Sequence, residues 1–251
     1  MVGKGENEMS QAVWYSKGDD GFNKAQQIQE EAQSQYGPMR FWLKPQSSAK
    51  ITFLDTEGFY FNEHNLKING KWGNYYTCTK DFSECPLCDS GDRSGYVCAY
   101  TVIDHSEYIT KSGKTIKNQK KLLVVRPSVM NKLARRREAL DGNLTHHVFL
   151  FTRDKKEECS TGEDIEHIKL LSKADVLKFK PADSKMSDEE FLAPFDYMKL
   201  FAPKSVEELR RISGQTAPVG ADSYACPSES SGGPLARGAE QIDEASIDDL
   251  L

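Results

Sequence analysis

The sequence predicts a mainly β fold with a few helices, an α+β class, and three observations lead to that prediction. Short segments that alternate polar with apolar or β-branched residues, such as residues 50–55, recur through the chain. A segment rich in Asn, Gly, Cys and Asp, residues 64–95, interrupts them. From Gly214 the composition changes to Ser, Gly, Pro and Ala, which is typical of a linker. With 251 residues the chain can bury a substantial core.

The first half of the chain is predicted to begin with a short helix and to continue with strands. Residues 21–35 carry Ala, Gln, Glu and Ile in an order that favours a helix, and Gly37-Pro38 ends it. The predicted strands of this half are 40–44, 50–55, 58–61 and 96–104.

The second half adds further strands, one long helix and two helix starts. The predicted strands are 108–110, 121–126, 147–153 and 164–171. Pro127 begins a helix over 127–140, which Asp141-Gly142 ends. Capping boxes at Ser187 and Ser205 predict two later helices. Three regions are predicted: an N-terminal arm with a short helix (1–37), a core with the insertion at 64–95 (38–213), and a flexible linker with an acidic tail (214–251).

The net charge of −5 conceals a strong segregation of charge. Residues 104–156 carry 13 basic and 5 acidic side chains, a net charge of +8. Residues 214–251 carry 1 basic and 7 acidic side chains, a net charge of −6. Such asymmetry indicates contact with nucleic acid and an acidic interaction tail, and the alternative is an ordinary solvated surface with a flexible end.

The cysteines are interpreted as metal ligands or core residues rather than disulfides. The polar N-terminus resembles no secretory signal, which favours a reducing compartment. No apolar run approaches about 18 residues, so no transmembrane helix is expected. Cys159 and Cys226 stand alone in polar surroundings and are given no role.

Four residues form the predicted metal site. Cys85-Pro86-Leu87-Cys88 is a Cys-x₂-Cys turn that brings two thiolates to one ion, and His64 and Cys78 complete the pattern His-x₁₃-Cys-x₆-Cys-x₂-Cys. Four protein ligands close a tetrahedral site, so we expect one structural Zn²⁺ rather than a catalytic one. Cys98 and His105 compete for the fourth place, and a redox Cys-x-x-Cys pair is the alternative for the whole motif.

Aromatic and basic residues interleave around this motif, as in proteins that bind single-stranded nucleic acid. Bases stack on aromatic faces at about 1–3 kcal/mol each, while cations follow the phosphates. The predicted stacking residues are Trp72, Tyr75, Tyr76, Tyr100 and Tyr108. The predicted phosphate contacts are Lys111, Lys114, Lys117, Lys120, Lys121, Arg126 and Arg153. Alternation places Tyr96, Cys98 and Tyr100 on one strand face, and which face belongs to the core stays open.

Enzyme signatures were sought, and none was found. The chain has no phosphate-binding Gly-rich loop, no nucleophile elbow and no His-Glu-x-x-His. We therefore expect a protein that is not an enzyme. The carboxylates of Asp55, Glu57, Glu63 and Asp104 leave a metal-dependent nuclease as a remote alternative.

The order His64, Cys78, Cys85, Cys88 resembles the zinc module of the helix-destabilising single-stranded DNA-binding proteins of T-even and related tailed phages. Residues 53–55, 91–93 and 102–104 are also similar to segments of such proteins. The resemblance extends loosely over residues 38–205, and specific matching is confined to the ligand order. It implies an OB-fold barrel into which the zinc subdomain is inserted, followed by a disordered acidic tail.

The resemblance also implies a function. It predicts a protein that coats and protects single-stranded DNA in phage replication, recombination and repair, in the cytoplasm of the host bacterium. The acidic tail, with Asp243, Glu244, Asp248 and Asp249, is expected to recruit replication and recombination proteins. Self-association along DNA is part of the family pattern, but the N-terminal arm lacks the usual basic cluster. The alternative function is a zinc-containing transcription or replication accessory protein that mainly binds protein partners.

Overall fold

The computed structural model describes residues 18–24, 37–109, 113, 115–182, 184 and 186–214. The chain divides into two compact units, Met1–Gly37 and Pro38–Leu251. In the first unit, residues 18–24 form helix α1, which overlaps the start of the predicted helix. The rest of that predicted helix lies outside the described residues, as does the predicted tail.

The second unit is mixed α+β, with antiparallel strands in the majority. Its strands are β1 Ser47–Phe53, β2 Phe59–Ile68, β3 Lys71–Thr77, β4 Gly95–Asp104, β5 Tyr108–Ile109, β6 Thr115–Ile116, β7 Gln119–Val125, β8 His147–Arg153 and β9 Asp164–Leu170. Its helices are α2 Pro86–Asp89, α3 Pro127–Glu138, α4 Lys173–Leu177, α5 Asp188–Leu192, α6 Tyr197–Leu200 and α7 Val206–Ser213. The α+β class is thereby confirmed.

Strand β4 organises the main sheet, whose order is β3-β2-β4-β1-β8-β9. The first half of β4 pairs with β2, its last residues pair with β1, and β7 runs along its other edge. From Val97 to Asp104, β4 has neighbours on both edges and layers on both faces and is buried, so both faces of this part belong to the core. Within the described residues the pairing does not close into a ring, and the predicted OB-fold barrel is not confirmed.

The main core lies between strands β1, β4, β7 and β8 and helix α3. The ring of Phe53 meets Tyr100 and Phe149 edge to face, each at 5.3 Å between centroids. Val129 and Leu133 of α3 are fully buried against these strands. Helix α3 begins at Pro127, as the sequence predicts. Asp141 and Gly142, which follow the helix, both have positive φ, as expected for its end.

Two sequence predictions were wrong. Residues 40–44 are not a strand: Arg40 makes a single bridge to Leu122, and the segment is held by isolated backbone hydrogen bonds. The composition of the insertion 64–95 predicts irregular structure, but the second half of β2 and all of β3 form a hairpin there. Its two-residue turn is Asn69-Gly70, with φ of 51° and 79°, the strongest short-range hairpin signal that a sequence carries.

The C-terminal segment crosses the outer face of the sheet. Both capping Ser residues are confirmed, with the Ser187 and Ser205 side chains accepting from the amides of Glu190 and Glu208. Between these helices the Tyr197 hydroxyl donates to the buried carboxylate of Asp55 at 2.9 Å. The Phe195 amide donates to Thr101 Oγ1 at 2.8 Å. The segment is therefore attached to β4 and to the loop after β1.

Candidate metal centre and adjacent groove

The four predicted ligands lie at one end of the β2–β3 hairpin. His64 is fully buried in β2, and Cys78 directly follows β3, with its amide donating to the Asn62 carbonyl at 2.8 Å. Cys85 precedes the first turn of α2 and Cys88 lies within it, so the Cys-x₂-Cys turn points two sulfurs at the hairpin.

The ligand atoms have the spacing of a tetrahedral site. The Cys78 sulfur lies 3.8 Å from that of Cys85 and 3.6 Å from that of Cys88. His64 Nε2 lies 3.4 Å from the Cys85 sulfur and 3.6 Å from the Cys88 sulfur. A tetrahedron with Zn–S near 2.3 Å and Zn–N near 2.05 Å has edges of about 3.8 and 3.6 Å. This buried cluster can hold one metal ion such as zinc.

The surroundings shift the pKa values of two of the thiols in opposite directions. Burial and the neighbouring Cys78 and Cys85 thiols raise the pKa of Cys88 to about 12. At Cys85, burial is outweighed by hydrogen bonds from the Cys88 and Thr79 amides, which lower its pKa to about 6. Three ionised sulfurs cannot share this pocket without a positive charge, and a bound divalent ion supplies it.

Asp92 orients the histidine ligand. Its Oδ2 lies 2.5 Å from His64 Nδ1, which leaves Nε2 to face the sulfurs. The turn that places Asp92 ends α2: the Gly91 amide donates to Cys88 and the Asp92 amide to Leu87. This is a Schellman motif, and Gly91 provides its positive φ of 92°.

The two alternative ligands lie elsewhere. Cys98 is fully buried in β4 beside Tyr60 and Tyr100, outside the cluster. His105 forms hydrogen bonds with Thr52 at 2.7 Å and with Asn118 at 2.9 Å. The ligand set is therefore His64 with the three cysteines of the motif.

A small pocket, called the groove below, lies beside the metal cluster, and two arginines line it. Arg93 follows the Schellman turn, and Arg126 precedes α3. The groove is lined by Arg93, Arg126, Glu63, Asn65, Asp92 and Val97. Both of its carboxylates already have a partner, since Glu63 binds Arg40 at 2.7 Å and Asp92 binds His64.

Next to this groove, Tyr75 makes a cation–π contact with Arg40. The Arg40 guanidinium carbon lies 3.4 Å from the ring centroid of Tyr75. Arg40 also makes a bidentate pair with Glu63, at 3.0 and 2.7 Å. One face of the Tyr75 ring is therefore covered by a fixed guanidinium.

The predicted stacking residues divide into two groups. Trp72, Tyr75, Tyr76 and Tyr108 are half-buried, and Tyr76 packs on the apolar cluster around the metal ligands. The prediction for Tyr100 was wrong, because its ring is 2% exposed and packs on Phe53 in the core. Alternation could not distinguish these cases, because both faces of β4 are covered.

Most of the described cations predicted to bind phosphate have partners within the chain. Lys120 donates to the Glu190 and Ala193 carbonyls at 2.8 and 2.7 Å, and burial lowers its pKa. Lys121 binds Asp104 at 2.9 Å, and the exposed Lys117 lies 3.5 Å from Glu107.

The prediction for Arg153 was wrong. It is 1% exposed and donates to the Leu43 and Lys156 carbonyls, which makes it an internal brace rather than a phosphate contact. Arg126 lines the groove. The remaining predicted residues lie outside the described part of the chain: Lys111, Lys114, Asp243, Glu244, Asp248 and Asp249.

Sequence reasoning missed an exposed aromatic pair. Tyr60 and Tyr96 are 42% and 50% exposed, and their rings are nearly parallel at 6.1 Å between centroids. The signal was available in part, because both tyrosines lie in strand segments that were predicted, 58–61 and 96–104. Arg93, Arg40 and Asp92 were also missed, since nothing in their spacing marks them.

The four carboxylates considered for a nuclease do not converge. Asp55 binds Tyr197, Glu63 binds Arg40 and Asp104 binds Lys121. Glu57 is exposed and lies 3.5 Å from Arg137. Among the described residues, the one group with metal-ligand geometry is the His/Cys cluster.

Comparison with known proteins identifies no family for this chain. No family model matches it, and no curated protein matches it significantly. In the part of the chain that the structure describes, no helix is both long and apolar enough to span a membrane.

Proposed function

We propose that this protein binds single-stranded DNA without sequence preference, and that it coats and protects DNA during phage replication, recombination and repair in the host cytoplasm. The observation that carries the proposal is the arginine-lined groove beside the metal cluster. Arg93 and Arg126 line it, and of its two carboxylates Glu63 is paired with Arg40 and Asp92 with His64. Two guanidinium groups at one site are the kind of charge that contacts a phosphate backbone.

Aromatic groups beside such charge suit single strands better than duplexes. A single strand exposes the π-faces of its bases, whereas a duplex stacks them internally. Tyr75 lies on β3 with Arg40 on its ring, and the exposed Tyr60–Tyr96 pair lies on β2 and β4, at positions that alternate with Glu63 and Val97 and so face the other side of the sheet. Pairing fixes the backbone of these three strands. The rings supply rigid surfaces on which bases can stack without a large loss of side-chain entropy.

The proposal includes one structural zinc ion and an OB-type sheet. A Cys₃His donor set with no open position suits a structural ion. The shared strand β4, which pairs with β2 at its start and β1 at its end, supports a partly open barrel of OB type. The acidic segment 214–251, with its net charge of −6, would recruit protein partners.

The test is the salt dependence of binding to a fluorescent oligo-dT. For single strands the slope of log affinity against log salt is about −0.7 per phosphate contact, so the pair Arg93→Gln and Arg126→Gln should reduce it by about 1.4. The matched control is Lys178→Gln, an exposed cation outside the groove that lies near Asp175. An unchanged slope in the double variant would refute the role of the groove.

A second function is favoured by one observation. Lys120, Lys121 and Arg153 of the basic region are bound to carbonyls or carboxylates of the chain, which leaves less charge for DNA than its +8 suggests. This favours an accessory protein that mainly binds protein partners. Capture of a replication protein by the full chain after nuclease digestion, together with no measurable binding to oligo-dT, would support that function over the first.

A further inference from the structure

The C-terminal helix α7 packs directly on the metal ligands. Leu209 is fully buried and Ile212 is 8% exposed, and both lie in one apolar cluster with Cys78 and Cys85. Leu87, the fully buried residue between the two ligands of α2, belongs to the same cluster. The surface that receives α7 therefore consists largely of the metal module itself.

This receiving surface has little stability of its own. Helix α2 is a single turn of four residues, too short to persist in isolation. Residues 80–84, which join Cys78 to Cys85, are all exposed. The four ligands join this segment to the β2–β3 hairpin in addition to the hydrogen bonds from Asn62 to Asp81 and between His64 and Asp92, so we expect the position of Leu87 to depend on metal binding.

The chain before α7 is held by contacts of another kind. Tyr197 is bound to Asp55 at 2.9 Å, and its ring lies 5.2 Å from Phe59. Phe201 lies 4.2 Å from Phe61, and its carbonyl accepts from Thr77 Oγ1 at 2.7 Å. None of these contacts uses the metal module, so helix α6 has an anchor that survives without metal.

We propose that metal binding and the docking of α7 are thermodynamically coupled. The metal centre stabilises the docked position of α7, the helix that directly precedes the acidic segment 214–251. Loss of the metal would then free α7 while α6 stays on the sheet, which lengthens the tether of residues 214–251 and their net charge of −6. Because coupling is reciprocal, docking of α7 strengthens metal binding by the same factor by which metal binding strengthens docking, so weakening the docking must weaken metal binding.

The first test measures Zn²⁺ affinity of the full chain by competition with a chromophoric chelator. Leu209→Ala should weaken Zn²⁺ binding by between about 5-fold and 150-fold, the usual range of coupling between two sites. The matched control is Glu207→Ala, at an exposed position of the same helix, which should leave affinity within about twofold. Equal affinities in the wild type and Leu209→Ala would overturn the proposal.

The second test needs no variant and uses hydrogen exchange on the wild-type chain with and without chelator. Removal of Zn²⁺ should expose the amides of residues 206–213 and 78–92, while those of Leu200 and Phe201 stay protected. Protection of α7 that persists after chelation would overturn the proposal, and so would exposure of α6 together with α7. Neither test involves DNA, so this inference and the proposed function can fail separately.

Discussion

Asp55 is an acidic residue whose replacement is expected to stabilise the protein. The carboxylate is 3% exposed and accepts hydrogen bonds from the Thr101 amide at 2.5 Å and the Tyr197 hydroxyl at 2.9 Å. Burial raises its pKa from 3.8 to about 6, against the opposing effects of these two bonds and of Lys120. Desolvation of the charge therefore outweighs its partners.

The size of the effect follows from the shift of the pKa. A shift from 3.8 to about 6, at 1.36 kcal/mol per unit, corresponds to about 3 kcal/mol. A carboxyl whose pKa is raised in the folded state binds its proton more tightly there. Its favourable contribution is complete below about pH 4 and is lost as the pH rises through 6. The wild type should lose about 3 kcal/mol through this group between pH 4 and pH 7.

The assay compares Asp55→Asn with the wild type by urea unfolding at pH 4 and pH 7. The asparagine carbonyl can accept from the Thr101 amide, and its NH₂ can donate to the Tyr197 oxygen. The free energy of unfolding of the variant, relative to the wild type, should rise by about 3 kcal/mol between the two pH values. Glu57→Gln, a carboxylate with a 70% exposed side chain, should change this difference by less than about 0.5 kcal/mol. An equal destabilisation by Asp55→Asn at both pH values would refute the reasoning.

Three further predictions concern the metal, the core and the tail. Asp92→Asn, which weakens the orientation of His64, should lower Zn²⁺ affinity by about 10- to 100-fold in a chelator competition, and unchanged affinity would contradict that role. Gly58→Ala should reduce the free energy of unfolding by about 1–3 kcal/mol, because the new Cβ would lie 2.7 Å from the Tyr100 ring. In the control Gly95→Ala the new Cβ meets nothing within 4 Å, so the free energy of unfolding should not fall. An acidic segment is expected to compete with DNA for the same cations, so deletion of residues 214–251, which carry a net charge of −6, should increase oligo-dT affinity, most at low salt. A decrease would contradict this competition.

The metal site could be predicted from the sequence because its spacing is mostly local. Cys85 and Cys88 share one turn, and Cys78 is close enough to reach them after a hairpin. Asp92 could not be predicted, because its role depends on the Schellman turn at Gly91 and on the tautomer of His64. An aspartate four residues after a cysteine carries no such signal by itself.

The groove was harder to predict because charge along a sequence does not show where each side chain goes. Arg153 lies in a basic region, yet its guanidinium is buried against the Leu43 carbonyl. Polar and apolar residues alternate around Tyr100 as in a strand with one exposed face, yet both faces of β4 are covered at this position. Arg93 comes from an acidic region and reaches the groove through the turn after α2. Tertiary packing decides all three positions.

The most direct measurement for the central claim is a titration of the purified full chain with oligo-dT and with a duplex of equal length, at two salt concentrations. Single-strand binding should be tighter than duplex binding at both salts and should weaken steeply as salt rises. Equal affinity for the two DNA forms at low salt, or single-strand binding that does not respond to salt, would contradict the claim that this chain is a single-stranded DNA-binding protein.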